Sequence, residues 1–378
     1  MSKTMPLNPK SSSIILGICL LWLIIYIYFV HISNIKFESV HLKNGVWKTT
    51  DQASIQLSDT LTGYPGHLEM RSRFLFGTKS SHNVGIATQV SFDKFDTIRE
   101  MSSHWNGPIS CSVLCFGDIR QVEEDIKKAI ETWPQRSEPV TFHIVIQERN
   151  DDPYPVNIMR NFAMNHSSTD YVLILDADFV PNPDAWERIL VWLEQRDGMV
   201  ALDSKSAFIV PAFECVARGD QEPVSIEDLP QTKEILMQTL LEGWIQPFHF
   251  KSWPRGHTPT NFGKWYLASK PYGIIWEPRF EPYVIVNRHD VPQFWENFVG
   301  FGYNKLSFIM ELNIAGFHFH VLPDVYIIHR TFAEELPRMI SDEMQKEYTD
   351  EFRPHLRTKY HRRYIEDIEC IHNYGRYC

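Results

Sequence analysis

The sequence predicts an α/β fold with a mostly parallel central sheet, preceded by one membrane-spanning helix. Three observations carry that expectation. Strand-like and helix-like runs alternate from Val84 to Leu193 at the spacing of βαβ units. The run Tyr171-Val-Leu-Ile-Leu175 is short, continuous and bulky, which suits a strand buried on both faces. At its carboxyl end come Asp176 and Asp178, and open α/β sheets bind ligands beyond the carboxyl ends of their strands.

Composition narrows the class. The chain has 378 residues, enough for one large domain or two small ones. An apolar fraction of 43% with 24 Phe, 15 Tyr and 11 Trp supplies ample core. A formal charge of -10 and a pI near 5.9 argue against nucleic-acid binding. Neither a G-x-G-x-x-G after the first strand nor a G-x-x-x-x-G-K-[ST] occurs, which removes the ordinary dinucleotide and P-loop readings.

From the N-terminus, residues 1–13 carry Lys3 and Lys10 and no acid, and read as a cytoplasmic tail. Ile14 to Ile32 is apolar apart from His31 and long enough to span a bilayer. It exceeds a usual signal-peptide h-region and lacks a small-x-small cleavage site, so it reads as an uncleaved anchor with the rest lumenal. Residues 33–82 show little periodicity and read as a stem. A catalytic domain is expected over 83–345, and a charged, helix-patterned tail over 346–378.

Within the domain, strands are expected at Val84–Val90, Ile109–Phe116, Val140–Ile146 and Tyr171–Leu175. Helices are expected at Asp96–Trp105, Val122–Trp133 and Val156–His166. Asn182 suits an N-cap and Pro183 a first helical residue, before Trp186, Ile189, Leu190 and Leu193 at helical spacing. A strand over Ala207–Phe213, a helix over Ser225–Gly243 and a late strand over Val325–Ile328 complete the pattern.

The chemistry concentrates at the acidic edge. Asp176 and Asp178 offer hard oxygen ligands for Mn²⁺ or Mg²⁺ bridging a diphosphate, and such a metal neutralises a leaving diphosphate. An isolated Asp-x-Asp is weak; the strand before it and the helix after it give it weight. Arg160, with Asn157 on the same helix, is placed to meet phosphate or uracil. Trp253 to Trp265, dense in Pro, Gly, His, Trp and Asn, suits stacking on a pyranose. Of six cysteines, Cys19 lies in the anchor. Cys111 and Cys115 are too far apart along one strand to bridge, while Cys370 and Cys378 could pair. Asn165-His-Ser167 is the sole N-glycosylation sequon.

Several blocks occur in one order: Tyr154-Pro-Val-Asn-Ile-Met-Arg-Asn161, Leu175-Asp-Ala-Asp-Phe-Val-Pro181, Val210-Pro-Ala-Phe-Glu214 and Gly256-His-Thr-Pro-Thr-Asn-Phe-Gly-Lys-Trp265. They continue with Phe280-Glu-Pro-Tyr-Val284, Phe298-Val-Gly-Phe-Gly-Tyr-Asn-Lys305, Met310-Glu-Leu312 and Val321-Leu-Pro-Asp-Val-Tyr-Ile-Ile-His329. Together, from about Asn83 to about Arg330, they resemble glycosyltransferase family 49. The resemblance implies a GT-A type fold and a Golgi type II membrane protein. It also implies an inverting transfer of glucuronic acid from UDP-glucuronic acid, dependent on Mn²⁺, to xylose on a glycoprotein glycan. An oligomer with itself or with other Golgi glycosyltransferases is compatible with that setting.

Carried over by position, Asp176 and Asp178 are the metal motif, with His329 as third ligand and Asp176 also on the nucleotide side. Inversion needs one general base, for which Glu281 is the first choice and Glu311 the second, ahead of Asp290 and Glu296. The donor carboxylate calls for a cation, for which Lys305, His257 and Lys264 are candidates, with Asn261 and Asn304 for hydroxyls. His318 and His320 share a strand face and are set aside as packing. The competing readings are the same fold with UDP-N-acetylglucosamine or UDP-xylose, and a non-catalytic lumenal sugar-binding protein.

Overall fold

Strand β2 (Val84–Ser91), β3 (Ile109–Cys115), β4 (Val140–Gln147) and β5 (Tyr171–Ile174) lie side by side and parallel, in the order β4-β3-β2-β5. This computed structural model describes residues 68–76, 84–134, 136–194, 205–216, 224–330 and 340–361. Nearly every residue of β2, β3 and β4 is buried, because helices cover both faces. Helix α1 (Asp96–His104) seats Ile98 and Met101 in the core, and Phe95 and Trp105 at its ends join them. Helix α2 (Ile119–Ile130) begins three residues before the expected Val122. Asp118 accepts from the amides of Arg120 and Gln121 and caps a polar first turn that periodicity alone does not reveal. Helix α3 (Val156–Asn165) crosses back to β5.

The sheet is mixed rather than mostly parallel. Strand β1 (Leu68–Phe76) pairs antiparallel with β4 at one edge, although the sequence there shows no strand pattern. Beyond β5 the chain forms β6 (Phe179–Pro181), α4 (Ala185–Glu194), β7 (Ser206–Val210) and β8 (Ala212–Cys215). It continues through α5 (Lys233–Leu241), β9 (Ile245–Pro247), α6 (Phe262–Leu267), β10 (Tyr272–Ile274) and β11 (Tyr283–Asn287). Strand β11 returns from this excursion to insert, antiparallel, between β5 and β7. Helix α7 (Asn304–Ile314), β12 (His318–Val321) and β13 (Ile327–His329) follow. The large sheet has nine strands, in the order β1-β4-β3-β2-β5-β11-β7-β12-β10; the second has four, in the order β6-β13-β8-β9.

Three local expectations resolve differently. The strand expected over Ala207–Phe213 is two strands in different sheets, with Pro211 as the corner; its carbonyl accepts from the Ile327 amide at 3.0 Å. The helix expected over Ser225–Gly243 is only α5, because Pro230 follows a single 3₁₀ turn at Ile226–Asp228. Asn182 does not cap α4. Its Oδ1 accepts from the Tyr326 amide at 2.9 Å, and its own amide donates to the Tyr326 carbonyl at 3.0 Å, which ties β6 to the β12–β13 connection.

Past residue 339, α8 (Asp342–Lys346), a π-helical segment (Glu347–Phe352) and α9 (Arg353–Tyr360) pack back onto α7. Met344, Phe352 and Leu356 are buried with Phe298, Met310 and Ile314, so this charged stretch carries its own apolar seam. Cys111, Cys115 and Cys215 are buried free thiols. The apolar run 14–32 and Cys370 and Cys378 lie outside the described residues. Among the described residues no helix is long and apolar enough to cross a membrane.

Candidate active site

The site forms where β5 hands over to β6. The Leu175 amide still bonds to the Ala87 carbonyl at 3.1 Å, and a turn closes with the Phe179 amide on the Asp176 carbonyl at 3.2 Å. Asp176 and Asp178 therefore project from a short, anchored bend at the carboxyl edge.

The two carboxylates meet different partners. Asp176 Oδ1 accepts from Arg160 Nη2 at 2.6 Å and Gln89 Nε2 at 3.4 Å, while Oδ2 accepts from the Tyr283 hydroxyl at 2.8 Å and Lys305 Nζ at 3.4 Å. Burial pushes the Asp176 carboxyl up, but Arg160 and Lys305 outweigh it and hold it below the usual carboxylate range. Asp178, about half exposed, meets His329 Nε2 at 3.1 Å through Oδ2. The register of β13 against β6 sets this contact: His329 lies opposite Phe179, next to Asp178.

Behind Asp176 the support is continuous. Arg160 is buried, holds Asn157 Oδ1 at 3.2 Å and stacks over the Phe294 ring. Asn157 Nδ2 donates to the Trp295 carbonyl at 2.9 Å. Tyr154 donates to Gln89, which links α3's entry loop to β2. Lys305, in the first turn of α7, lies 3.5 Å from the Tyr283 ring centroid. Burial lowers its pKa, and Asp176 and Glu281 oppose that shift.

Glu281 completes this neighbourhood. Its amide donates to the Gly256 carbonyl at 3.0 Å. A Cβ at Gly256 would fall 2.4 Å from the Trp253 ring and 3.4 Å from Glu281 Cγ, so only glycine lets both side chains close here. Burial pushes the Glu281 carboxyl above its ordinary value, against the pull of Lys305 and the Trp253 indole.

The remaining sequence candidates divide. His257 is buried, stacked on Tyr283 at 6.4 Å between centroids, and its pKa is driven well down by burial and then by Lys305 and His249. It is thus uncharged at neutral pH. Asn261, at φ 58°, uses its side chain to cap α6 on the Lys264 amide at 3.1 Å. Both line a cavity of about 620 Å³ with Phe248, Phe250, Phe262 and Tyr266. Lys264 lies over the Tyr272 ring at 4.4 Å, facing a different surface hollow. Asn304 Nδ2 bonds to the Gly300 carbonyl at 2.7 Å. Glu311 is held by Lys359 at 2.8 Å and Tyr360 at 2.9 Å, where it fastens α9 to α7 rather than joining the cluster around Asp176. Tyr283, Gln89 and Tyr154 belong to the site and were not singled out in the sequence. Tyr283 sits within the Phe-Glu-Pro-Tyr block; Gln89 carries no motif at all.

Asp178 Oδ2 and His329 Nε2 meet directly at 3.1 Å, a carboxylate oxygen and an imidazole nitrogen of the types that suit Mn²⁺. Both Asp176 oxygens are occupied by cations and a hydroxyl. Among the described residues no group of three His, Cys, Asp or Glu side chains converges. The described residues thus bring one carboxylate and one imidazole together at this edge.

A mixed α/β sheet with paired carboxylates just past the end of β5 has the ligand-binding edge of an open α/β enzyme. The chain belongs to glycosyltransferase family 49, described as "Glycosyl-transferase for dystroglycan", whose model matches residues 83–153 and 146–365. It is 37% identical over 256 residues to human xylosyl- and glucuronyltransferase LARGE1, which covers 67% of this chain and 32% of that protein. It is 35% identical over 259 residues to zebrafish xylosyl- and glucuronyltransferase LARGE2s, with 68% and 32% covered. The chain thus spans about a third of the length of these relatives. GalNAc-T7 in complex with UDP, GalNAc and Mn²⁺ overlaps 74% of the chain at 9% identity and a TM-score of 0.39, a likeness at which nothing about ligands carries over.

Proposed function

We propose that this glycosyltransferase transfers glucuronic acid from UDP-glucuronic acid to a xylose-terminated glycan, with inversion, as a Golgi membrane protein anchored by residues 14–32. The observation that carries the reading is the Asp178–His329 pair, 3.1 Å apart at the carboxyl edge, beside the Arg160–Asp176–Lys305 cluster. The donor is supported by the glucuronyltransferase named in the relatives. A buried lysine suited to an anionic donor supports it as well. Asp178 and His329 would hold Mn²⁺ (or Mg²⁺), which when bound offsets the charge growing on the leaving diphosphate.

The chain's own groups do the rest. Arg160 and Lys305 keep positive charge at the site, and Tyr283 fixes the carboxylate between them. Glu281, whose carboxyl burial pushes above its ordinary value, takes the proton of the acceptor hydroxyl as the diphosphate leaves from the opposite face. The cavity lined by Phe248, Phe250 and Tyr266 stacks on the acceptor ring.

The test is UDP release by the purified chain with Mn²⁺ and an aryl β-xyloside, each UDP-sugar offered in turn, with Asp178→Asn as control. Turnover confined to UDP-glucuronic acid and lost in the variant supports the reading. Turnover with UDP-xylose or UDP-N-acetylglucosamine instead replaces the donor. Absence of turnover with every donor rejects it.

A further inference from the structure

Glu214 of β8 is a buried carboxylate that none of these steps uses. It is 6% exposed. Its Oε1 accepts from Gln246 Nε2 at 2.6 Å, while its Oε2 is sealed from solvent without a hydrogen-bond partner. A carboxylate oxygen left this way is costly unless positive charge stands near it.

The strand register says what stands near it. His329 faces Phe179 across β13 and β6, faces Glu214 across β13 and β8, and Glu214 faces Gln246 across β8 and β9. Register partners project from the same face of a sheet, on strands about 4.8 Å apart. Phe179, His329, Glu214 and Gln246 therefore form one row. Its surroundings are apolar: Phe179 and Phe248 pack on the His329 ring. An acid in that row is out of place as packing.

We propose that Glu214 is a positioning residue of the cation site, standing beside His329 on the adjacent strand and placing negative charge behind the imidazole that meets Asp178. The proposal rests on the reading of Asp178 and His329 as metal ligands. Carboxylates standing behind metal-binding histidines raise the basicity of the ring, and their loss weakens metal binding without removing a ligand. Glu214 acts through His329, since no third His, Cys, Asp or Glu joins the pair among the described residues. Gln246 in turn fixes the carboxylate by holding its other oxygen.

The experiment titrates Mn²⁺ alone into the full purified chain and follows the free ion by electron paramagnetic resonance, for wild type, Glu214→Gln, Gln246→Met and His329→Ala. Glu214→Gln is expected to weaken Mn²⁺ binding about tenfold or more. Its metal-free melting temperature and its kcat at saturating Mn²⁺ should stay at wild-type values, while the Mn²⁺ concentration for half-maximal turnover rises by the same factor. Gln246→Met is expected to shift the affinity a few-fold in the same direction. Unchanged affinity in Glu214→Gln, or in Gln246→Met should the first variant not fold, would overturn the proposal. Wild-type affinity in His329→Ala would instead remove the ligand reading on which it stands, and the proposal with it.

Discussion

Asp176 at the end of β5 and Glu281 in the turn before β11 are both partly buried carboxylates, and both feel the ammonium of Lys305. Their protons go opposite ways. Asp176 takes hydrogen bonds from Arg160, Tyr283 and Lys305, and these overcome burial; Glu281 has Lys305 and the Trp253 indole acting on it, and burial wins. Desolvation is present in both, so the count and closeness of opposing donors decide the sign. Two acids pushed apart in this way mark a division of labour. Asp176 is a fixed negative charge that orders the cations around it. Glu281 is the acid to which the proposed function gives the proton transfer.

Glu281→Gln tests that division most severely. Turnover should fall on the order of 10² to 10⁴-fold, the usual contribution of a general base. The acid limb of the wild-type pH–rate profile should lie above the ordinary carboxylate range and vanish in the variant. Stability should hold or rise, because the charged form of Glu281 is the one burial disfavours. Asp176→Asn should do the reverse in urea denaturation. It leaves Arg160 and Lys305 without their counter-charge, and breaking a buried pair costs about 3 kcal/mol. Because the folded carboxyl titrates below its unfolded value, its stabilisation is complete above the usual carboxylate range and lost as pH falls through the folded pKa. Wild type should therefore lose stability in acid more steeply than Asp176→Asn.

The half of the molecule around Asp176 was largely legible in the sequence, and the half around Glu281 was not. The parallel strands β2 to β5 are continuous apolar runs joined by local crossovers, so periodicity places them within a residue or two. Asp176, Asp178, Arg160 and His329 could be named from strand ends and ordered blocks. Their partnerships could not: that Asp176 is wrapped by cations while Asp178 meets His329 depends on the pairing of β6 with β13, across more than a hundred residues. In the second half, Pro211 and Pro230 divide what hydropathy reads as single elements. Glu311 looked like Glu281 on paper, an acid in an ordered block. The difference is Lys359 and Tyr360, contributed by a helix whose charged surface hides Leu356 and Phe352. Gln89 and Glu214 carry no local signal, because each matters only through the strand beside it.

The gentlest probe of the comparison is the lysine the two acids share. Lys305→Met keeps the aliphatic stem over the Tyr283 ring and removes only the charge. Both carboxyls should then move up. Asp176 retains the 2.6 Å contact with Arg160 and should stay ionised at neutral pH, so the loss of stability should be smaller than in Asp176→Asn. Glu281 loses its strongest opposing charge, so the acid limb of the pH–rate profile should shift to higher pH. If the base is Glu281, the variant recovers turnover as pH is raised, while Asp176→Asn does not. A limb that stays in place would separate Lys305 from the proton transfer and leave it as a binding cation for the donor alone.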